Sequence, residues 1–282
     1  MDIQKPAPLM IGGKAYYTLT SYDPVSIEID AMLVTDSDVS AATLDMVTQA
    51  GGTEASLKDA GWLKHKLGFD DPKKLRSSIR DQLIDTSYEI LLRKRRQACA
   101  EELAKRLVQS VPSDHIAETR QQLKENIAQQ AQASGISFDR FLAQMGTDTV
   151  AFEATLDEQA KMVAEQDAAL GAYAQAKKLK ISEEDYPRLL NIPASQCQRL
   201  VEHARQAHHE DQVYDSALRN RALELIVAEC TCSYRQETAH EAATRSAQMQ
   251  AWHNQSKAGS TDNPHTQSPQ KNSGGNSDLH LV

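Results

Sequence analysis

Apolar positions along this chain recur first every second residue and then every three to four. Val25, Ile27, Ile29, Ala31 and Leu33 alternate with Ser26, Glu28 and Asp30, which predicts a strand with one covered face inside an extended stretch at residues 16–34. Thr35 followed by Asp38 forms a capping-box pair and predicts a helix to Ala50, stopped by Gly51-Gly52. Pro72 then opens a run without Gly or Pro through Ser110, with Leu75, Ile79, Leu83, Ile90, Leu91, Leu103 and Leu107 at helical spacings. Such a helix would be about 55 Å long, more than a compact domain's diameter, so part of it should project.

Residues 111–181 are the stretch around which the rest is organised, and they read long–short–long. Pro112 suits a helix start because its missing N–H would be unpaired there anyway. Ile116, Leu123 and Ile127 follow as a sparse stripe, and Gly135 closes the helix. Ser137 can cap a short helix carrying Phe138, Phe141, Leu142 and Met145, which Gly146 ends. Thr147 or Asp148 opens a third helix with Phe152, Leu156, Ala160, Val163, Leu170 and Tyr173 on one stripe.

Beyond Ile181 the pattern is more broken. Ser182 and Asp185 again make a capping pair, but Pro187 falls where a helix interior tolerates it poorly, so that helix is short or restarts. Pro193 can start the next, with Leu200, Val201 and Ala204 inward. A last helix is expected over residues 211–234, carrying Val213, Ala217, Leu218, Leu225 and Ile226. From Glu241 onward Gln, Asn, Ser, His, Gly and Pro dominate, and that composition predicts a disordered polar tail. The expected fold is mainly α: an elongated multi-helix body at 62–240, a small β-strand/helix segment at 1–61, and the tail at 241–282.

Composition narrows the picture. Apolar residues make up 40% and aromatics only 5%, with a mean hydropathy of −0.55. This is thin for one large core and suits several small ones. The net charge of −8 argues against general nucleic-acid or anionic-membrane binding. Arg93-Lys94-Arg95-Arg96 is the densest basic run, read chiefly as the solvated face of a long helix. The four cysteines are scattered and Met1 to Met10 lacks a basic start before an apolar run, so a cytoplasmic protein with reduced thiols is expected.

Little in the sequence offers reaction chemistry. Cys230-Thr231-Cys232, with His203, His208, His209 and His240, lacks C-x₂-C or H-x₃-H ligand spacing, so no metal is expected. No nucleophile elbow, phosphate loop or dinucleotide glycine pattern is present, and no cofactor is implied. Glu183-Glu184 sits at a helix start, where the dipole favours carboxylates for structural reasons.

The order Val111-Pro112, Gly135-Ile136-Ser137, the short helix ending at Gly146 and the long helix through Leu156 to Ser182 resembles the C-terminal domain of trigger factor, over about Trp62 to Glu229. The stretch SYDPVSIEI followed by VTDSDV is similar to that family's junction after its ribosome-binding domain. The resemblance implies an arm-bearing chaperone fold, similar to the core of the periplasmic chaperone SurA, that receives unfolded or nascent polypeptides and possesses neither cofactor nor metal. In the family an isomerase domain of the FK506-binding type lies where this chain has only residues 51–71, too few for a domain. No Gly-Phe-Arg-x-Gly-Lys ribosome loop is found, which puts ribosome docking in doubt. The expectation is therefore a holdase, monomer or dimer, assisting protein folding and protein transport. The alternatives are a peptidyl-prolyl isomerase and an assembly scaffold for one partner. Flexible Met and scattered aromatics suit promiscuous contact, and Phe141, Met145, Tyr173, Tyr186 and Leu189 are the candidate client-binding residues; for any single one, packing between helices is the competing role.

Overall fold

The computed structural model describes residues 5–11 and 14–258. Its spine is α3 (Pro72–Lys105), whose Asp71 cap accepts from the Lys73 amide and whose first turn holds Pro72. At about 1.5 Å per residue its 34 residues span about 51 Å, and the two halves of the helix serve two different cores.

The first half packs against α1 (Asp36–Gln49) and α2 (Ala60–Leu67). The Thr35–Asp38 capping box is formed. Val39, Leu63, Leu75 and Ile79 make the buried centre there, with Trp62, Phe69 and Leu83 packed around it. A 3-10 turn, Glu54–Lys58, leads into α2.

The second half of α3 enters the main core. Cys99 and Leu103, with Leu107 just past the end of the helix, meet Ala164, Ala168, Leu170 and Tyr173 of α6 (Thr149–Ala176), and Ala222, Leu223 and Ile226 of α9 (Glu210–Glu229). The sheet side of this core is β3 (Ser26–Ala31), which buries Ile27 and Ile29 and exposes the residues between them. Its partner is β4 (Thr231–Gln236), parallel and in register from Ser26 opposite Thr231 to Ala31 opposite Gln236. Two strands two hundred residues apart thus close the chain on itself. Upstream, β1 (Leu9–Ile11) and β2 (Lys14–Tyr16) pair antiparallel with Leu9, Met10 and Ile11 exposed, and Leu19 bridges Leu107.

Two lobes extend from the main core. The first is α4 (Ser113–Ala133), the short α5 (Phe138–Gln144) and the first half of α6. Leu142, Phe152 and Leu156 are its buried centre, with Phe138 edge-on to Phe152 at 5.6 Å. Gly135 and Gly146 take positive φ, 69° and 76°, and turn the chain at both ends of α5. The second lobe is α7 (Tyr186–Leu189), α8 (Ala194–Gln206) and the first half of α9. Pro187 lies in the opening turn of α7, so the break after Ser182 is one turn of 3-10 helix (Glu183–Asp185) followed by a restart.

Four expectations are corrected. The helix expected from Pro72 through Ser110 ends at Lys105, and Leu200, expected to face inward on α8, is exposed. The last helix of the body ends at Glu229, not near Tyr234, because residues 231–236 gain a ladder partner in β3 that no local pattern reveals. The tail expected to be disordered from Glu241 begins instead as a helix, α10 (Ala239–Ala258). A capping box starts it: the Thr238 amide donates to Glu241, whose own amide donates to the Thr238 hydroxyl. Ala242 is fully buried and Ser246 nearly so, which supplies the tertiary contact that composition could not show. The rest of the expected tail, residues 259–282, lies outside the described residues.

Candidate functional site

Of the five candidate client residues, three are core. Tyr173 is 2% exposed, under Lys177 at 5.4 Å from its ring centroid. Its hydroxyl donates to Glu229 at 3.1 Å, and burial together with that carboxylate pushes its pKa up to about 12. Tyr186 and Leu189 are buried with Cys197 and Ala217 at the centre of the second lobe. These three residues hold helices together, and in this conformation they present no surface to a client.

Phe141 and Met145 are different. Phe141 is half-buried on α5, while Met145, at the C-terminal end of that helix, is 57% exposed. Val150, four residues beyond the Gly146 turn, is 80% exposed. The tip of the first lobe therefore carries uncovered apolar side chains over a small core of its own. It shares no hollow with Tyr173: α5 packs near Phe152, and Tyr173 lies 21 residues further along α6, about 32 Å away.

Sequence reasoning missed the most ordered apolar surface. Ile84, Tyr88 and Leu92 recur every fourth residue on α3, and all three are exposed. That spacing stacks them on one helix face. Leu75, Ile79 and Leu83 occupy the opposite side and serve the α1–α2 core, whereas the stripe runs on into Arg95 and Cys99, which enter the main core. The stripe is thus a core-type face left uncovered between two cores. The period was legible; which half of a long helix would be covered was not.

Several charges on the two lobes are paired. Glu153 on α6 receives both Arg120 and Lys124 of α4, Asp157 receives Arg120, and Arg188 pairs with Glu224. These pairs fix lobe geometry at the surface and contribute little each. In the basic run, Arg95 is half-buried and donates to the Val227 carbonyl at 2.8 Å, while Lys94 reaches the Asp30 carbonyl at 3.4 Å. A hollow between β3 and α3 is shallow and lined mainly by polar groups, Glu28, Asp30, Lys94, Gln97 and Glu101 among them. Among the described residues no group of three His, Cys, Asp or Glu side chains is placed to hold a metal ion, and no helix is long and apolar enough to cross a membrane.

Uncovered apolar side chains thus lie on the spine helix α3 and at the tip of the first lobe, and exposed patches of this kind usually mark interaction sites. The model of the bacterial trigger factor protein C-terminus matches residues 73–229, over half of this chain, and the chain belongs to that family. It is a chaperone family. No curated protein and no solved structure matches the chain.

Proposed function

We propose that this protein is a holdase: an ATP-independent chaperone that binds apolar segments of unfolded or nascent chains on the Ile84–Tyr88–Leu92 face of α3 and on the lobe tip at Phe141, Met145 and Val150. The observation that carries this reading is the uncovered α3 stripe. A helix face continuous with a packed core face has the composition to pack against something, and an unfolded segment supplies apolar side chains without a fixed shape.

Magnitudes indicate how it would work. Covering three such side chains, each already partly buried, is worth roughly 5 kcal/mol, the low end of three times about 1.5–3 kcal/mol. Association alone costs about 4–15 kcal/mol. One stripe therefore gives only fleeting attachment, and retention requires a client long enough to touch the lobe tip as well, so that the second contact forms at a high effective concentration. Weak, divided contact of this kind favours no one sequence and allows release without nucleotide hydrolysis.

The test is aggregation of several unrelated denatured proteins, followed by light scattering, with the parent, an Ile84→Ser/Tyr88→Ser/Leu92→Ser variant and a Met145→Ser/Val150→Ser variant. Each variant should keep the parent's far-ultraviolet helix signal and need several-fold more protein for the same suppression; together they should lose it. Suppression of a single client only, or full suppression by the combined variant, would replace this reading with that of a dedicated scaffold or of a site elsewhere.

A further inference from the structure

Three thiols and one unneutralised cation meet where α3, the end of α9 and the start of β4 come together. Cys99 is fully buried on α3 and interacts through its thiol with Cys230, the residue that ends α9. Cys230 is half-buried, its Sγ 3.3 Å from the Val227 carbonyl. The Arg95 Nη2 lies 3.4 Å from the same sulfur. Among the described residues no carboxylate pairs with Arg95: its recorded acceptors are the Val227 carbonyl and that sulfur. Its Nε is buried with no hydrogen-bond partner at all. A guanidinium held partly out of water among neutral acceptors is an uncommon arrangement, because charge so placed is ordinarily paired. Client binding makes no use of it.

We propose that Cys230 and Cys99 form a peroxide-reactive dithiol, with Arg95 placed beside the Cys230 sulfur to stabilise the negative charge that passes from it to the departing peroxide oxygen as it attacks. Cys230, its proton released to solvent, attacks one oxygen of hydrogen peroxide. The O–O bond breaks, hydroxide leaves and takes up a proton to become water, and Cys230 is left as a sulfenic acid. The Cys99 sulfur then attacks the Cys230 sulfur: the S–S bond forms, the S–O bond breaks, and the hydroxyl departs as water with the Cys99 proton. Two thiols and one peroxide give one disulfide and two waters; each sulfur loses one electron and the peroxide gains two.

Burial pushes the Cys99 thiol up to about 12, with the Cys230 contact adding to the rise. Cys99 therefore does not compete for peroxide and acts second, from its position beside the oxidised sulfur. Cys232 is nearer in sequence but worse placed. The backbone is extended from Cys230 into β4, and alternate residues of an extended chain lie about 6.6 Å apart, whereas a disulfide needs Cβ atoms about 3.8 Å apart. The bond would rivet the spine helix to the corner from which β4 pairs with β3, tying the first and last parts of the body together.

The experiment uses the full chain, reduced and then exposed to a small molar excess of hydrogen peroxide, with non-reducing peptide mass mapping and stopped-flow peroxide consumption. A Cys99–Cys230 linked peptide that dithiothreitol reverses is expected, together with a higher melting temperature for the oxidised form. C99S should give no disulfide and should trap a dimedone adduct on Cys230. R95M should slow peroxide consumption about tenfold, and R95K, which keeps the charge, should recover part of it. The inference is overturned if Cys232 or the buried Cys197 reacts as fast as Cys230, if the linked peptide joins Cys230 to Cys232, or if the intact parent consumes peroxide no faster than its own urea-unfolded form. The last comparison holds whether or not an Arg95 variant folds.

Discussion

Asp38, in the first turn of α1, accepts hydrogen bonds from both Arg245 and Ser246 of α10, more than two hundred positions later in the chain. The same carboxylate completes the Thr35 capping box. Arg245 also takes Glu237 and the Leu33 carbonyl. One guanidinium thus gathers the end of the β3 connection, the start of α1 and the segment between β4 and α10, with Arg245 and Asp38 side chains 24% and 14% exposed.

Asp38→Ala should therefore do two things. It removes an N-cap partner and leaves Arg245 with Glu237 and the Leu33 carbonyl, in a setting between surface pairs worth about 0–1 kcal/mol and buried ones whose breaking costs about 3–5 kcal/mol. A loss of about 2 kcal/mol in urea unfolding is expected. Amide exchange should accelerate selectively in α10 and the first turn of α1; uniform acceleration over the whole body would show that the contact does not govern α10.

Acid should act through the same residue. Burial works against the Asp38 carboxylate, but hydrogen bonds from Ser246, Thr35 and Arg245 outweigh it and hold the pKa down to about 2. An unfolded Asp titrates near 3.9. The folded value is depressed, so the unfolded state binds the proton more readily. The associated stability is present above about pH 4 and is lost as the pH falls from there through about 2. Solvent access reduces it to roughly 1–2 kcal/mol. Urea midpoints between pH 5 and pH 2.5 should fall more steeply for the parent than for Asp38→Asn, and parallel slopes would remove Asp38 from the account.

Much of the fold was legible because much of it is local. Proline at a first turn, the Thr35–Asp38 box and the glycines around α5 act within a few residues, and each lies where the sequence places it. What escaped was set by distant partners. Cys230-Thr231-Cys232-Ser233-Tyr234 continues a helical run on paper and becomes a strand because β3 offers it a ladder. The Thr238–Glu241 box was not read from the sequence, and the polar composition after it pointed to disorder; α10 forms there against α1. The candidate site suffered most: a helical stripe marks apolar residues without saying whether a neighbour covers them. Tyr173 and Tyr88 have the same kind of helical spacing and opposite fates.

That contrast can be measured. Tyr173→Ala should cost about 3–5 kcal/mol, the usual range for emptying a buried aromatic site, with Glu229 losing its hydrogen-bond donor as well. Met145→Ala and Val150→Ala should each stay within about 0.5 kcal/mol of the parent, as exposed positions do. A large loss at Met145 or Val150 would mean that the lobe tip is packed in solution and is not a free surface.

Gly52 offers the narrowest test of the α1–α2 core. A Cβ at this position would stand 2.5 Å from two ring atoms of Trp62 and 2.9 Å from the Val47 side chain. Glycine is required here by proximity, since the Trp62 ring lies directly against its backbone. Trp62 cannot simply retreat: it packs on the cluster of Val39, Leu63, Leu75 and Ile79 that fixes α1 and α2 on the first half of α3. Gly52→Ala should therefore destabilise by about 1–3 kcal/mol, the usual cost of overpacking, although alanine is ordinarily the better residue for chain entropy. Tryptophan fluorescence should shift, because the ring is displaced. The neighbouring Gly51 has open space around it but a φ of 81°, so Gly51→Ala should cost backbone strain of about 1–2 kcal/mol while leaving the Trp62 emission where it was. If the two alanines gave the same loss and the same spectrum, the contact between Gly52 and Trp62 would not be what holds α1 and α2 in place.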